Sequence, residues 1–365
     1  MSKKKKNNIK FPKKSIDFLK KYINNASPTG NESEGQKLWL DRIKPYIDTY
    51  RVDNYGSVVG IINPDSKFKV VIEAHADEIS WSVKYITPDG YIHVARNGGT
   101  DHQITPSMRV NLHGEKGIVK GVFGHPAIHT RKGTDTKISV DSITVDVGAS
   151  DSKEVDKLGI KVGHMITYVD GFDILNKTSF VGRALDNRVG GFMISEVARI
   201  LHEKEITLPF GLYIVNAVQE EIGLRGGQMM AASIKPNVAI VTDVCHDTTT
   251  PGINKTVEGF TKCGNGPVLT SGPAVQNNLL KLITETAKEN KIPFQRLSAS
   301  GSTGTDTDAF AYSNGGVSSA LISLPLKYMH TTVETVHRDD VYNVINLIIS
   351  TLKNIEENHD FKYFN

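Results

Sequence analysis

Five short segments set imidazole or carboxylate side chains directly after apolar runs, an arrangement suited to gathering cations at one end of a sheet. In Ala74-His75-Ala76-Asp77-Glu78, the apolar run 70–72 leads into His75. A neutral imidazole there could bind a metal while Asp77 accepts the other ring N–H and fixes the tautomer; taken alone, His75 reads as an ordinary histidine. The carboxylate of Asp186, in Gly182-Arg183-Ala184-Leu185-Asp186, could bridge two cations, one to each oxygen, or simply cap the helix that follows. Glu220 and Glu221 stand side by side after the apolar run 210–217. Two adjacent carboxylates at the end of a buried strand are costly unless metals, protons or donors offset the charge. One could coordinate a metal while its neighbour, pointing elsewhere, moves a proton. Asp243 closes the run 238–241, and His330 follows 324–329. Two imidazoles and three carboxylates form a mixed N/O set that suits two zinc-class or cobalt-class ions better than calcium or magnesium. No cysteine pair competes: Cys245 and Cys263 are too few for a disulfide scaffold and read as small buried apolar residues.

Holding these side chains requires strands and helices in alternation. Apolar runs of strand length cover 56–63, 68–74, 210–217, 238–244 and 320–324. Near-continuous apolarity of this kind belongs to strands buried on both faces. Helical spacing recurs at Ile16, Leu19, Tyr22 and Ile23, and a second helix is expected over 32–46. Val189, Phe192, Met193, Val197, Ile200 and Leu201 stripe one further helix; Val341, Val344, Ile345, Ile348, Ile349 and Leu352 stripe another. The expected fold class is α/β, a three-layer sandwich around a mixed, largely parallel sheet, with ligands at the carboxyl ends of the strands. Between Ile79 and Lys177 the chain is rich in Gly, Val, Thr, Ile and His, with one short helical stripe near 152–158. That stretch reads as an inserted all-β module. The expected division is a basic, disordered tail at 1–14, a catalytic α/β domain formed by 15–79 with 176–365, and a β-barrel-like insertion at 80–175.

Composition excludes several other classes. Hydrophobic residues make up 39% and charged residues 23% of 365, as in ordinary globular proteins, and this length commonly divides into two domains. The formal net charge of +3 is more than supplied by Lys3 to Lys6, Lys10, Lys13 and Lys14, so the body is near neutral. A lysine run of this kind is more often a solvated arm than a nucleic-acid or membrane contact, and the body has no basic stripe with interleaved aromatics. The sequence thus predicts no nucleic-acid partner, no membrane span, no signal-peptide core and a cytoplasmic location.

The ordered set AHADE at Ala74, GGTD at Gly98, ITVDVGASDSKEV at Ile143, GRALDNRVGG at Gly182, VQEEIGLRGG at Val218, TDVCHDTTTPG at Thr242, GTDTDAF at Gly304 and KYMHTTVETV at Lys327 resembles the tetrahedral-assembly aminopeptidases. That family takes in glutamyl, leucyl and lysyl aminopeptidases and some members labelled endoglucanase, and the similarity spans nearly the whole chain after the tail. The longest gap in the set, between His75 and Asp186, also matches this family's placement of its extra domain. The resemblance implies a zinc-peptidase fold with one metal held by Asp186, Glu221 and His330 and a second by Asp186, Asp243 and His75. It makes Glu220 the general base and Asp77 the residue that orients His75, and it implies dimers built through the β module and a dodecamer built from them. Two divalent ions per subunit follow, Zn first, with Co or Mn as alternatives, acting on peptide substrates. Cys245 and His246 receive no role.

On this reading an N-terminal peptide bond is hydrolysed by metal-activated water, with Glu220 taking the proton. Glycoside hydrolysis is the rival enzyme class, because two carboxylates can act on a sugar, but it leaves both histidines unemployed. A silent, shell-forming scaffold is the non-enzymatic alternative. Arg225, Lys262 and Lys327 could favour acidic substrates or could be merely solvated.

Overall fold

The computed structural model describes residues 11–131 and 138–364. Its strands form two bodies, an eleven-stranded mixed sheet and a closed six-stranded barrel. At the centre of the large sheet, Gly211–Ala217, Lys69–His75, Val238–His246 and Ser318–Lys327 lie side by side in that order, all parallel. Every residue of Gly211–Ala217 is buried, as are all but the first of Lys69–His75, which is why these strands read as unbroken apolar runs. Because the four run the same way, their carboxyl ends share one rim. Antiparallel strands flank the centre: Val58–Ile62 and Thr49–Val52 on one side, Glu334–His337, Ser179–Gly182 and Asp173–Leu175 on the other.

The long helix Leu185–Glu203 lies against Lys69–His75 and packs with Arg338–Asn354, Lys13–Asn24 and Ser33–Ile43. Its buried Val189, Phe192, Met193, Val197 and Leu201 are the stripe expected from helical spacing. Trp39, fully buried, donates its indole N–H to the Gly191 carbonyl at 2.8 Å and joins two of these helices. Of the basic segment expected to be a tail, residues 1–10 lie outside the described residues. The chain beyond them is ordered: Phe11 packs against Phe180, Phe192 and Tyr342, and a helix begins at Lys13. An aromatic side chain with three aromatic partners secures this stretch, whereas the lysines after it remain on the surface.

The barrel runs Ser80–Ile86, Ile92–Asn97, Thr144–Asp146, Gly117–Phe123, Arg109–Gly114 and Met165–Tyr168 before closing on itself. It has its own core around Trp81, Val110, Leu112, Phe123, Val145 and Ile166. Closure gives every barrel strand a partner on both sides. Asp173–Leu175, numbered with the insertion in the sequence reading, pairs with Ser179–Gly182 in the large sheet. Arg183 fastens the two bodies together, donating from Nε to the Tyr168 carbonyl at 3.1 Å and from its guanidinium to Glu78. Among the described residues no helix is long and apolar enough to cross a membrane.

The strand end that carries Glu220 is pinned from above by Arg225–Ile234, whose Gly226 sits so close to Val218 that a Cβ would overlap the Val218 backbone. Since a backbone carbonyl cannot rotate away, Gly226→Ala should cost about 1–3 kcal/mol, the usual range for overpacking. Chemical denaturation reads this directly; an unchanged midpoint would show that the helix has room to shift.

Candidate metal centre

The rim of the parallel strands receives each segment singled out from the sequence. His75 is the last residue of Lys69–His75, Glu220 and Glu221 follow Gly211–Ala217, Asp243 lies inside Val238–His246, and His330 follows Ser318–Lys327. Asp186 enters from the first turn of Leu185–Glu203, where its own φ/ψ are not helical. It does not cap the helix: the capping position is Ala184, held at φ 57°, and the Asp186 side chain faces two histidines instead.

The geometry is compact. His75 Nε2 lies 3.2 Å from Asp186 Oδ1, 3.8 Å from Asp243 Oδ1 and 3.9 Å from Glu220 Oε2. His330 Nε2 lies 3.3 Å from Asp186 Oδ2 and 3.4 Å from Glu221 Oε2. Two donor sets result, His75 with Asp186 and Asp243, and Asp186 with Glu221 and His330, each gathered within 4.8 Å. Asp186 belongs to both and offers a different oxygen to each histidine.

Surrounding groups hold these side chains still. His75 Nδ1 is 3.2 Å from the Asp77 carbonyl and 3.4 Å from its carboxylate. The Asp77 carboxylate in turn accepts the Glu220 N–H at 3.0 Å, the Glu221 N–H at 3.2 Å and the Thr29 hydroxyl at 2.9 Å. Asp77 therefore joins two strand ends and the turn at Thr29, more than its sequence position suggested. His330 Nδ1 donates to the Gly99 carbonyl at 3.2 Å, and a Cβ at Gly99 would stand 2.6 Å from the imidazole. Gly99 follows the barrel strand Ile92–Asn97, so the inserted body touches this histidine directly. Glu334, which the sequence reading passed over, accepts the backbone N–H of both Asp186 and His330, at 2.9 and 2.8 Å. The signal was the glutamate four residues after His330 at the start of a strand, indistinguishable in sequence from an exposed strand end.

Burial dominates the electrostatics, with neighbouring charges second. Burial pushes the Glu220 carboxyl up to about 9 and Asp243 to about 7, with His75 pulling both back. Glu221 is raised well above the usual carboxylate range by burial and the Asp186 charge. For Asp186 burial acts upward too, but hydrogen bonds from His330 and His75 outweigh it and hold the group low. Burial opposes charge on the imidazoles, yet the carboxylates around His75 and His330 raise both. The donor set fits divalent cations: imidazole nitrogens and carboxylate oxygens in two groups of three, with Asp186 common to both and more acidic than basic side chains.

The centre lies in a cleft of about 980 Å³. Leu224, Val257, Leu297 and Met329 supply apolar wall, the 298–305 segment supplies hydroxyls, and Glu258 and Asp308 are the charged residues away from the centre. Among the described residues no lysine or arginine lines it; Arg225, Lys262 and Lys327, the candidates for favouring acidic substrates, are not part of the wall. Cys245 lines the cleft as a half-buried thiol whose pKa desolvation drives far up, beside the exposed His246; Cys263 is likewise only half-buried, so neither cysteine is the fully buried residue expected from the sequence.

Comparison with known proteins identifies the class. Residues 56–347 match the family described as M42 glutamyl aminopeptidase, and the chain belongs to that family. The lysyl aminopeptidase of Pyrococcus furiosus is 33% identical over 344 residues, covering 93% of this chain and 97% of that one. Among solved structures, a TET aminopeptidase from a marine sediment Thaumarchaeota archaeon superposes with a TM-score of 0.90 at 30% identity, covering 94% and 97% of the two chains. The TET1 peptidase of Pyrococcus horikoshii, which can assemble into a tetrahedron or a large octahedral shell, matches with a TM-score of 0.82 at 27% identity over 92% and 98%.

The raised groups set a pH dependence for the metal-free chain. Glu220, Glu221, Asp243 and His75 all hold protons to higher pH folded than unfolded, so above about pH 5 the native state binds more protons and loses stability as pH rises. The lowered Asp186 acts in the opposite sense, but only below its ordinary value of 3.8. Chelator-stripped protein should therefore melt at progressively lower temperature from pH 6 to pH 9, and zinc should flatten the trend. A melting temperature that climbs with pH in the stripped protein would contradict this charge assignment.

Proposed function

We propose that this chain is a dinuclear metallo-aminopeptidase that removes single residues from the N-termini of peptides. Asp186, Glu221 and His330 hold one divalent ion, Asp186, Asp243 and His75 the other, with Zn the first choice and Co or Mn alternatives. Bound there, such ions acidify water and polarise the scissile carbonyl. The observation that carries the reading is the sharing of Asp186 between two donor sets while Glu220 belongs to neither, yet stands 3.9 Å from His75. Glu220 is thereby free to take a proton from water and return it to the leaving amine. Positive charge at the centre favours its carboxylate form, which the metal-free chain resists. Asp77 keeps the tautomer and direction of His75.

The wall of the cleft suggests which peptides fit. With no lysine or arginine among its described lining residues, and with Glu258 and Asp308 present, an acidic N-terminal side chain finds no counter-charge. Neutral and cationic side chains meet no such penalty. Glycoside hydrolysis remains the weaker reading, because it gives His75 and His330 nothing to do.

The inserted segment expected at 80–175, whose barrel strands run from Ser80 to Tyr168, serves in this proposal as the dimerisation domain. Tyr85, Tyr91, Ile118, Val122 and Val162 are exposed on it, and apolar side chains gathered on one body suit contact between copies. A solved PhTET1 structure with a dodecamer in the asymmetric unit, 27% identical with a TM-score of 0.81, supports a dodecamer. We place the enzyme in the cytoplasm, in keeping with its two free cysteines.

Metal-loaded protein should release leucine and lysine from aminoacyl reporters much faster than glutamate. Glu220→Gln should lower turnover on all of them by about 10²–10⁴-fold, the usual worth of a general base, with both ions retained by elemental analysis. Undiminished turnover in the variant would remove Glu220 from the mechanism, and survival of wild-type activity in chelator would favour the glycosidase reading. Sedimentation velocity should show oligomers; a monomer at micromolar concentration would count against the barrel's role.

A further inference from the structure

Glu334 is fully buried, yet it belongs to neither donor set. Its two oxygens accept from two backbones that are 144 residues apart in sequence. Oε2 receives the Asp186 N–H at 2.9 Å, and Oε1 receives the His330 N–H at 2.8 Å. Both recipients belong to the same donor set, the one completed by Glu221. The strand pairing explains how one carboxylate reaches both: Glu334 sits opposite Gly182 where Ser179–Gly182 meets Glu334–His337. Beyond Gly182 the chain turns through Arg183 and Ala184 to Asp186, and before Glu334 it has just left His330.

His330 needs such a hold. Its backbone sits at φ 61°, and Ala184, two residues before Asp186, at φ 57°, the left-handed region that side chains other than glycine enter at a cost. A conformation of that kind persists only where neighbouring groups over-determine it. The imidazole of His330 is tied by the Gly99 carbonyl and its main chain by Glu334. His75, by contrast, extends from a regular strand whose backbone is hydrogen-bonded on both sides. The two donor sets therefore differ in how they are built: His75 and Asp243 stand on the sheet, whereas Asp186, in an irregular first helical turn, and His330, in a loop, have main chains that meet at one carboxylate.

Resting on the two-ion reading above, we propose that Glu334 is a positioning residue that fixes the spacing of Asp186 and His330 and so sets the affinity of one ion, the one shared with Glu221. It touches no substrate and gives no electrons to metal. Its removal loosens two of the three members of that set, whereas the other set keeps His75 and Asp243 in place and is touched only through Asp186.

Zinc titration of chelator-stripped protein by calorimetry tests this without reference to turnover. Wild type should take two equivalents. Glu334→Gln keeps the shape and one acceptor oxygen but turns an NH2 toward the other backbone N–H, so it should weaken one equivalent by about 10–100-fold, the usual effect of losing a group that orients a ligand, with the other, whose set shares only Asp186, weakened less. Glu334→Ala should weaken the same equivalent further. Melting curves of the stripped proteins accompany the titration, because a Gln variant that melts like wild type while losing one equivalent separates positioning from general unfolding. Two wild-type equivalents in both variants, or equal weakening of both ions, would overturn the proposal alone. A wild type that takes up no zinc would overturn the metallopeptidase reading itself and this proposal with it.

Discussion

Negative charge brought together in a buried place is the constraint around which the rest of this structure is arranged. Asp77, Asp186, Glu220, Glu221 and Asp243 converge on one rim with only His75 and His330 as partial counter-charges. Removal from water, with repulsion between neighbours added, makes Glu220, Glu221 and Asp243 hold protons well above the usual carboxylate range. A chain that maintains such a cluster gives up stability unless something cationic occupies it. On the reading proposed above, divalent ions held by these carboxylates and imidazoles would offset that cost beside Glu220, a carboxyl that belongs to neither donor set.

The fold makes the convergence possible through strand direction. Four parallel strands end at one rim, so segments distant in sequence arrive together without long loops of their own. Tethers then set orientation. Asp77 ties His75 to the main chain of Glu220 and Glu221; Arg183 ties the barrel to the loop before Asp186; Gly99 lets the barrel backbone meet His330 at hydrogen-bond distance. The inserted barrel is therefore part of the site's scaffolding as well as a candidate surface for self-contact.

What could be read from sequence follows the same logic. Buried parallel strands advertise themselves as unbroken apolar runs, and polar residues at their ends stand out against that background, so His75, Glu220, Glu221, Asp243 and the central sheet were visible. The helix Leu185–Glu203 was visible from its apolar stripe, but not the non-helical turn at Asp186, which depends on contacts with Glu334 and two histidines. Glu334 and Gly99 escaped notice because their importance lies in backbone partners far along the chain. The same limit applied to cleft charge: Arg225, Lys262 and Lys327 lie near the motifs in sequence but outside the wall in space. Phe11 was assigned to a tail because nothing local reveals that three aromatic rings wait for it.

Anomalous diffraction at the zinc edge from crystals of reloaded protein addresses the central claim most directly. The account predicts two peaks per chain, each at about 2.0–2.2 Å from its ligands. Both peaks should touch Asp186, one with Glu221 and His330, the other with His75 and Asp243, while Glu220 coordinates neither. A single peak, peaks away from this rim, or Glu220 bound to metal would contradict it.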